Sequence, residues 1–310
     1  MGSDCCARTG STSTVTSGPN NGQRQRHHRL SGSTCGCLAE NDDSYYRTLR
    51  DASPRSKFYH RRGVKAAGRR RPLLRPALWA GLSPEPMKPR ALVFDAYGTL
   101  FDVHSVVLRA GDGIAGDLHS LSTLWRRKQL EFTWLRALME RYEDFWNVTE
   151  AALRSAVRQL KIQAGEAQLD SLMQVYLCPQ AFPDVRPALE HLSGSPLAIL
   201  SNGTPKMLES AVDYNALRSC FTEIISVDSV KTYKPSARVY ALASHTLNIP
   251  AEEILFVSSN SWDAAGAKAF GYRVCWCNRS AAEMEHLGFA PDITVSELYD
   301  LVPVMQSLSD

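Results

Sequence analysis

Four short polar clusters each follow an apolar run of four to six residues in the later part of this 310-residue chain. They begin at Asp95, Ser201, Lys234 and Ser258, and the last one ends at Asp263. A carboxylate can act as a nucleophile or a base, a lysine can keep it ionised, and hydroxyl and amide groups can bind an anion. Taken singly, each cluster is explained equally well as a turn, a helix cap or a solvated loop. Their repetition favours one shared binding site.

The segments that would position these clusters alternate between strand and helix patterns. Strands are predicted at residues 91–94, 197–200, 223–227, 254–257, 273–276 and 292–295. Helices are predicted at residues 205–214, 236–247, 261–270 and 281–287. This alternation is typical of an α/β protein with a parallel, doubly wound sheet, in which ligands bind at the carboxyl ends of the strands. Because the clusters stand at such strand ends, we expect them to lie close together.

The long stretch between the first two predicted strands has helical patterns instead. Helices are predicted at residues 121–142, 149–160 and 166–176, with Thr149 as the expected N-cap of the second. We therefore predict a Rossmann-like core of residues 87–102 and 181–310, into which a helical cap of residues 103–180 is inserted. A cap that leaves the carboxyl end of a strand covers the site there and can exclude water.

Residues 1–86 differ from this body in charge and in patterning. They contain 15 Lys and Arg against 6 Asp and Glu, whereas residues 87–310 contain 20 against 26. No apolar period persists in them, so we predict a disordered tail. Their one apolar patch, residues 73–82, is far shorter than the ~20 residues that a membrane span needs, and no membrane partner is predicted.

Four interpretations of this tail remain open. Met87 stands just before the first predicted strand, which favours translation beginning there. The other three are a basic arm that contacts nucleic acid or an anionic surface, an organellar transit peptide, and a metal site at Cys5, Cys6, Cys35 and Cys37. Acidic residues argue against the transit peptide, and the cysteine spacings differ from those of the usual zinc pairs.

The body contains four further cysteines, which are Cys178, Cys220, Cys275 and Cys277. No secretory signal pattern precedes the body, so we expect these residues to be free thiols in a reducing compartment. The predicted location is the cytoplasm.

The order and spacing of the polar clusters resemble the haloacid dehalogenase superfamily, over residues 88–305. The matching motifs are Asp95-x-Tyr97-Gly98-Thr99-Leu100, Ser201-Asn202-Gly203, Lys234-Pro235 and Ser259-Asn260-x-x-Asp263. Phosphatases of that superfamily carry an acidic residue where this chain has Tyr97 and an acidic Mg²⁺ ligand where it has Asn260. A tyrosine, with a reference pKa of ~10, is a poor acid near pH 7, and Mg²⁺ prefers carboxylates. We therefore predict neither a metal nor a cofactor, and a leaving group that needs no protonation.

A second resemblance lies in the predicted cap. The stretch from Leu124 to Arg136, LWRRKQLEFTWLR, resembles the cap of the (S)-2-haloacid dehalogenases. The resemblance implies that Asp95 attacks C2 of an (S)-2-haloalkanoic acid while Arg126 accepts the halide. Water then hydrolyses the Asp95 ester and releases an (R)-2-hydroxy acid. Without the resemblance, Arg126 would be interpreted as a solvated arginine on a helix face.

The resemblance also assigns the remaining roles in this reaction. Thr99 would orient Asp95, Lys234 would keep Asp95 and Asp263 ionised, and Asp263 would position or deprotonate the water. Asn260 would contact the ester or the halide. The substrate-binding residues would be Ser201, Asn202, Tyr240, Ser258, Tyr97, Leu130, Phe145 and Trp262, although the apolar ones also fit plain packing. A homodimer through residues 121–142 is implied as well.

Two other functions remain open on the sequence. One is a phosphatase of the same superfamily, with Tyr97 and Asn260 as tolerated deviations. The other is a nucleic-acid-binding protein that uses the basic tail, although the intact clusters disfavour it. The favoured interpretation predicts a small haloalkanoate, water and halide as the molecules that enter and leave the site.

Overall fold

The computed structural model describes residues 88–308. The predicted disorder of residues 1–86, and the alternatives for that tail, lie outside these residues. The described chain contains eight strands and nine α-helices. The strands are β1 (Ala91–Phe94), β2 (Phe101–Asp102), β3 (Gln180–Ala181), β4 (Leu197–Ser201), β5 (Glu223–Ser226), β6 (Ile254–Ser258), β7 (Arg273–Cys277) and β8 (Ile293–Val295). The helices are α1 (Ser105–Ala110), α2 (Leu118–Leu138), α3 (Phe145–Gln159), α4 (Glu166–Tyr176), α5 (Val185–Leu192), α6 (Pro205–Tyr214), α7 (Ala237–Leu247), α8 (Ser261–Phe270) and α9 (Leu301–Ser307).

Six of the strands form one parallel sheet in the order β5-β4-β1-β6-β7-β8. Phe94, the last residue of β1, lies opposite Ile199 of β4 on one side and Val257 of β6 on the other. The chain moves outward from β1 through β4 and β5, and then returns beside β1 to form β6, β7 and β8. This confirms the predicted doubly wound sheet, whose strand order reverses at β1.

The central strands are buried along their whole length because helices flank the sheet. Helix α7 packs against β4 and β5, and α8 packs against β6 and β7. The runs ALVF, LAILS and ILFVS of β1, β4 and β6 are continuously apolar up to their last residues, as a sheet covered on both faces requires. Since these strands are parallel, the polar residues at their carboxyl ends lie along one edge of the sheet.

Helices α1 to α4 lie between β2 and β3, which pair antiparallel. Asp117 caps α2 by accepting from the N–H of Ser120 at 3.1 Å, and Asp144 caps α3 by accepting from the N–H of Asn147 at 2.9 Å. Each cap satisfies an N–H group that the helix leaves unpaired, so α2 and α3 begin where these aspartates stand. The two helices pack closely against each other, which holds the helical segment of residues 105–176 together.

Two sequence predictions in the helices are wrong. Helix α3 begins at Phe145 rather than after Thr149, because Asp144 is its cap and Thr149 lies buried in its second turn. The predicted helix at residues 281–287 does not form. Ala281 has a φ of 50°, and almost the whole stretch is exposed, so no apolar face stabilises so short a helix.

The other predicted elements are present, with small shifts at their ends. The predicted strands agree with β1, β4, β5, β6, β7 and β8 to within one residue at either end. Helices α4, α6 and α8 have the predicted bounds, whereas α2 begins and ends earlier than predicted. The sequence patterns missed α1, α5, α9 and the short pair β2 and β3. Among residues 88–308, no helix is both long enough and apolar enough to span a membrane.

Candidate active site

The carboxylate of Asp95 lies at the carboxyl end of the central strand β1. The backbone N–H of Asp95 donates to the carbonyl oxygen of Val257 at 2.9 Å, so the pairing of β1 with β6 extends to this residue. The side chain is buried, and three side chains donate hydrogen bonds to it. Lys234 Nζ lies 3.0 Å from Oδ1, and Thr99 Oγ1 and Asn260 Nδ2 lie 3.0 and 2.7 Å from Oδ2. These donors fix the orientation of the carboxylate.

Lys234 joins two carboxylates. Its Nζ atom lies 3.0 Å from Asp95 Oδ1 and 2.8 Å from Asp263 Oδ2, and the residue is 1% exposed. The ring of Phe256 lies 4.9 Å from the same nitrogen. Burial disfavours the charged form of Lys234, but Asp263 and Asp95 outweigh it, so the pKa of Lys234 is raised above its ordinary value. One lasting positive charge therefore serves both carboxylates.

Asp263, in the first turn of α8, is wholly buried and fully hydrogen-bonded. Its Oδ1 accepts from the Tyr240 hydroxyl at 2.7 Å, and its Oδ2 accepts from Ser258 Oγ at 3.1 Å as well as from Lys234. Burial raises the pKa of Asp263 to about 6, with the charge of Asp95 adding to the effect and Lys234 opposing it. A carboxylate with such a pKa can accept a proton near neutral pH.

The turn after Asp95 brings further groups to the carboxylate. Thr99 Oγ1 accepts from the N–H of Ser259 at 2.8 Å, so its own proton is left for Asp95. Gly98 has a φ of 91°, a left-handed conformation that favours glycine. A Cβ atom at Gly98 would lie 3.6 Å from the Asn260 amide, which shows how closely this turn approaches Asn260.

Arg126 reaches the same turn from α2. Its Nη2 atom donates to the carbonyl oxygen of Tyr97 at 2.9 Å, and Asn260 Nδ2 lies 3.2 Å from that oxygen. The guanidinium of the helical segment and the amide at the end of β6 therefore meet beside Asp95. An anion bound between these two donors would lie next to the Asp95 carboxylate.

Ser201 and Asn202 line the neighbouring strand end. Ser201 Oγ is buried and accepts from the N–H of Gly203 at 3.2 Å, so its proton can be donated elsewhere. Asn202 Oδ1 accepts from the backbone N–H of Lys234 at 3.1 Å. That bond fixes the amide orientation and leaves Asn202 Nδ2 as a donor, which suits a carboxylate ligand.

An aromatic wall closes one side of the cluster. The ring of Tyr97 stacks on Tyr176 with centroids 5.6 Å apart and lies 5.8 Å from Phe145. The Tyr97 hydroxyl is buried and has no hydrogen-bond partner among the residues that the structure describes. Burial raises the pKa of Tyr97 well above its ordinary value, so this residue is neutral and a poor proton donor.

Trp262 and Leu130, two of the predicted substrate-binding residues, flank the hydrogen-bonded cluster rather than belong to it. Trp262 packs edge-on against Trp134, with centroids 5.4 Å apart, and lines an apolar cavity of about 530 Å³ that extends to Lys234. Leu130 is half-buried on α2, one turn after Arg126 and thus on the same helix face. The other predicted site residues meet around Asp95 and along the adjoining strand ends.

Sequence reasoning missed three residues that support this cluster. Gln129 accepts a hydrogen bond from Arg126, and Thr149 accepts one from Gln129. Arg279 donates to the carbonyl oxygen of Thr99 from Nη2 at 3.0 Å, and so holds the turn from the opposite side. Gln129 could have been found, because it is a polar residue in an otherwise largely apolar i, i+4 stripe of a predicted helix. Arg279 follows a strand end in the sequence but matches no motif.

The cluster combines a held carboxylate, a second carboxylate with a raised pKa and a guanidinium. Within residues 88–308, no group of three His, Cys, Asp or Glu side chains is arranged to hold a metal ion. The arrangement suits nucleophilic attack by Asp95, departure of an anion toward Arg126 and proton transfer through Asp263.

Known proteins are similar to this chain in sequence and in fold. Residues 89–271 match the family model of the haloacid dehalogenase-like hydrolases. Over 218 residues the chain is 46% identical to the (S)-2-haloacid dehalogenase H-109 of Pseudomonas putida, and this match covers 69% of this chain and 97% of that protein. It is 44% identical over 223 residues to the haloacetate dehalogenase H-2 of Moraxella sp. strain B, covering 71% of this chain and 96% of that protein.

A solved structure shows the same relationship. The L-2-haloacid dehalogenase from Xanthobacter autotrophicus, with chloropropionic acid covalently bound, is 38% identical to this chain and superposes with a TM-score of 0.65. The match covers 70% of this chain and 98% of that one. Similarity thus extends over nearly the full length of both kinds of relative.

Proposed function

This chain belongs to the haloacid dehalogenase-like hydrolases, as its polar clusters predicted, and we propose that it hydrolyses (S)-2-haloalkanoic acids to (R)-2-hydroxyalkanoic acids and halide. The observation that carries the proposal is the meeting of Arg126 and Asn260 beside the Asp95 carboxylate. The relatives named (S)-2-haloacid dehalogenase and the covalent chloropropionate complex of one of them support the same chemistry.

In the first step, Asp95 attacks C2 of the substrate from the side opposite the halogen. The donors Lys234, Thr99 and Asn260 hold the carboxylate in one orientation for this attack. An O–C bond forms as the carbon–halogen bond breaks, and the halide leaves with the bonding electron pair. The configuration at C2 is inverted. The negative charge that develops on the halide is stabilised by Arg126 and Asn260.

In the second step, water attacks the carboxylate carbon of the Asp95 ester. Asp263 accepts a proton from this water and returns it to the departing alkoxide of the 2-hydroxy acid. The water oxygen stays in the Asp95 carboxylate, and one proton is released to solvent in each turnover. Tyr240 and Ser258 hold Asp263 in place for this transfer.

The substrate carboxylate binds at Ser201 and Asn202. The Ser201 hydroxyl and Asn202 Nδ2 are the donors left after their other bonds are made. Tyr97 and Phe145 shield the nucleophile from water, and the unpaired Tyr97 hydroxyl provides a further donor for the substrate. Leu130 and Trp262 contribute to the apolar surroundings of the alkyl group.

The proposal also covers the cap, the oligomeric state and the location of the protein. Residues 103–180 act as a cap that carries Arg126 to the site and limits access of water. A second copy of the chain packs on α2, where Leu135, Leu138 and Met139 are exposed apolar residues. The location is cytoplasmic, in keeping with the free thiols of Cys275 and Cys277.

A phosphatase fits the site less well. Asn260 donates to Asp95 where a metal-dependent phosphatase would need a carboxylate. The pKa of Tyr97 is raised, so Tyr97 is a poor acid for protonating the leaving group of a phosphoester. The similar proteins of the dehalogenase branch also favour halide release over phosphoryl transfer.

The experiment that tests the function measures chloride release from both enantiomers of 2-chloropropionate in the presence of EDTA. We expect turnover of the (S) enantiomer only, with loss of activity in Asp95→Asn. A single turnover in H₂¹⁸O should place one labelled oxygen in Asp95. No chloride from the (S) enantiomer, or a preference for the (R) enantiomer, would contradict the proposal. Sedimentation of the wild type and of Leu138→Lys tests the homodimer.

A further inference from the structure

A buried stripe on α2 contains a polar residue that the proposed reaction does not use. Leu121, Trp125, Gln129 and Thr133 follow one another at four-residue spacing, and all four are buried. Gln129 is only 1% exposed. A buried amide is unfavourable unless its donors and acceptor are hydrogen-bonded, so the partners of Gln129 determine why it is tolerated there.

The direction of the Gln129 amide is dictated by Thr149. The Thr149 hydroxyl has one proton, and it donates this proton to the carbonyl oxygen of Phe145 at 2.6 Å. Thr149 Oγ1 can therefore only accept from Gln129, whose Nε2 lies 2.6 Å away. Nε2 also lies 2.9 Å from the Tyr176 hydroxyl. The same hydroxyl lies 3.1 Å from Oε1 and can donate to it, so Tyr176 fits either amide orientation. Thr149 alone requires that Nε2 faces α3, and Oε1 is then the acceptor on the other amide position.

That amide oxygen holds one end of the Arg126 guanidinium. Gln129 Oε1 accepts from Arg126 Nη1 at 2.8 Å, while Arg126 Nη2 donates to Tyr97 O at 2.9 Å. A planar guanidinium held at both terminal nitrogens has a fixed plane and a fixed position. Gln129 achieves this without a negative charge, so the positive charge of Arg126 is not neutralised.

We infer that Thr149 and Gln129 are positioning residues for halide release: Thr149 orients Gln129, and Gln129 orients Arg126 toward the departing halide. The inference rests on the proposed function, because it concerns the group that accepts the halide. Neither residue touches the substrate. We call this chain of hydrogen bonds the relay. It runs from the Phe145 carbonyl group in the first turn of α3, through the side chains of Thr149 and Gln129, to the Arg126 guanidinium on α2.

The relay acts on one chemical step and on one part of the transition state. A misplaced guanidinium stabilises the developing halide charge less well, so formation of the Asp95 ester slows. Chloride is a poorer leaving group than bromide and depends more on this stabilisation. Hydrolysis of the ester takes place after the halide charge has formed, so it should be unaffected.

The test compares Thr149→Val and Gln129→Leu with the wild type in single-turnover experiments. Ester formation from (S)-2-chloropropionate and from (S)-2-bromopropionate is followed separately from ester hydrolysis. We expect both variants to slow ester formation from the chloro substrate roughly 10- to 100-fold, with a smaller loss for the bromo substrate and unchanged hydrolysis. Thr149→Ser, which keeps the hydroxyl, should restore most of the rate.

The matched control is Thr133→Val. Thr133 is also wholly buried and donates to a backbone carbonyl one turn earlier, that of Leu130 at 2.7 Å, and it takes no part in the hydrogen bonds of Gln129 and Arg126 described above. We expect it to keep the wild-type ratio of chloro to bromo rates. Gln129→Glu, which is close to Gln129 in shape, should slow ester formation by pairing with the Arg126 charge, and it provides a second variant if Gln129→Leu fails to fold.

The outcomes separate the relay from the function. An active wild type whose Thr149→Val and Gln129→Leu variants lose the chloro and bromo rates equally, or lose ester hydrolysis as well, would contradict the relay and leave the dehalogenase function standing. A loss as large in Thr133→Val would also contradict it. A wild type that releases neither halide would contradict the function, and the relay with it.

Discussion

The Nδ2 atom of Asn260 lies 2.7 Å from the Oδ2 atom of Asp95. A neutral amide donor thus lies directly against the carboxylate that we propose as the nucleophile. The same amide also reaches the Tyr97 carbonyl oxygen that Arg126 contacts. In the proposed reaction, residue 260 therefore affects both the hydrogen bonding of Asp95 and the donors available to a leaving halide.

Replacing this amide with a carboxylate should abolish the reaction near neutral pH. In Asn260→Asp, two carboxylates would face each other at hydrogen-bond distance, and both cannot be ionised there without strong repulsion. We expect chloride release from (S)-2-chloropropionate to fall about 100- to 1,000-fold. Asn147→Asp, an exposed change of the same kind in the first turn of α3, is the control. Equal rates in the two variants would be inconsistent with this role of Asn260.

The shared positive charge of Lys234 should be needed for stability as well as for catalysis. Lys234→Met leaves two buried carboxylates without a cation, and we expect the free energy of unfolding to fall by about 3–5 kcal/mol at pH 8. Without the cation, the folded state binds protons more readily than the unfolded chain, so the loss should shrink as pH is lowered.

Denaturant unfolding at pH 8 and pH 6 measures this effect. Lys231→Met serves as the control, because Lys231 pairs with Asp228 in an exposed salt bridge and such bridges contribute little. A loss in Lys234→Met that is identical at both pH values would mean that packing, rather than charge, accounts for it.

The raised pKa of Asp263 predicts the acid limb of the pH profile. Asp263 must be ionised to accept a proton from water, and its pKa is about 6 in the free enzyme, so the rate of ester hydrolysis should have an acid limb at or below that pH. Tyr240→Phe removes a hydrogen bond that lowers this pKa, and it should shift the limb to higher pH. Tyr272→Phe, another buried tyrosine, should leave the limb in place.

Asp263 should titrate at different pH values in the free enzyme and in the ester intermediate. The charge of Asp95 contributes to the raised pKa of Asp263. Esterification removes the charge. We therefore expect ester hydrolysis, measured in single turnovers, to titrate at lower pH than the Asp263 carboxyl group of the free enzyme, followed by infrared difference spectroscopy against Asp263→Asn. The reverse order would argue against charge coupling between the two aspartates.

Gly203 should tolerate no side chain, because Tyr97 and Leu208 occupy the space that a Cβ atom would need. A Cβ atom there would lie 2.8 Å from Tyr97 Cε2 and 3.0 Å from Leu208 Cδ2, both in buried residues. We expect Gly203→Ala to displace the Tyr97 ring, which lowers kcat/KM and the melting temperature. Gly194→Ala, with no atom within 4 Å of its Cβ, should match the wild type in both measurements.

The edge of the sheet that carries the site could be predicted because apolar strands end in polar residues. Asp95 and Asp263 each stand directly after such a run or in the first turn of the following helix, so their shared edge follows from strand direction alone. The Lys234 cluster was expected near the same edge for the same reason, but strand direction does not show that its Nζ atom pairs with both carboxylates. Only the family resemblance predicted that pairing.

The helical segment was less predictable, for physical reasons. A threonine followed by an acidic residue has the local pattern of a helix start, yet Thr149 is inside α3 because Asp144 caps the helix one turn earlier. The stretch 281–287 contains good helix formers but has almost no buried face. The first case is a choice between two local caps, and the second depends on tertiary packing that local propensity does not contain.

The short ribbon of β2 and β3 has an evolutionary consequence. Because Asp102 pairs with Gln180 across these strands, the segment of residues 103–179 leaves and rejoins the ribbon about one strand spacing apart, roughly 4.8 Å. A segment with adjacent ends can be exchanged for another of different length without disturbing the sheet that bears Asp95, Lys234 and Asp263. Asp95, Lys234 and Asp263 stand at the ends of the sheet's strands or just after them, whereas Arg126 lies in the inserted segment. Under the proposed function, in which Arg126 accepts the halide, exchanging that segment at a single junction would change which leaving group is accepted.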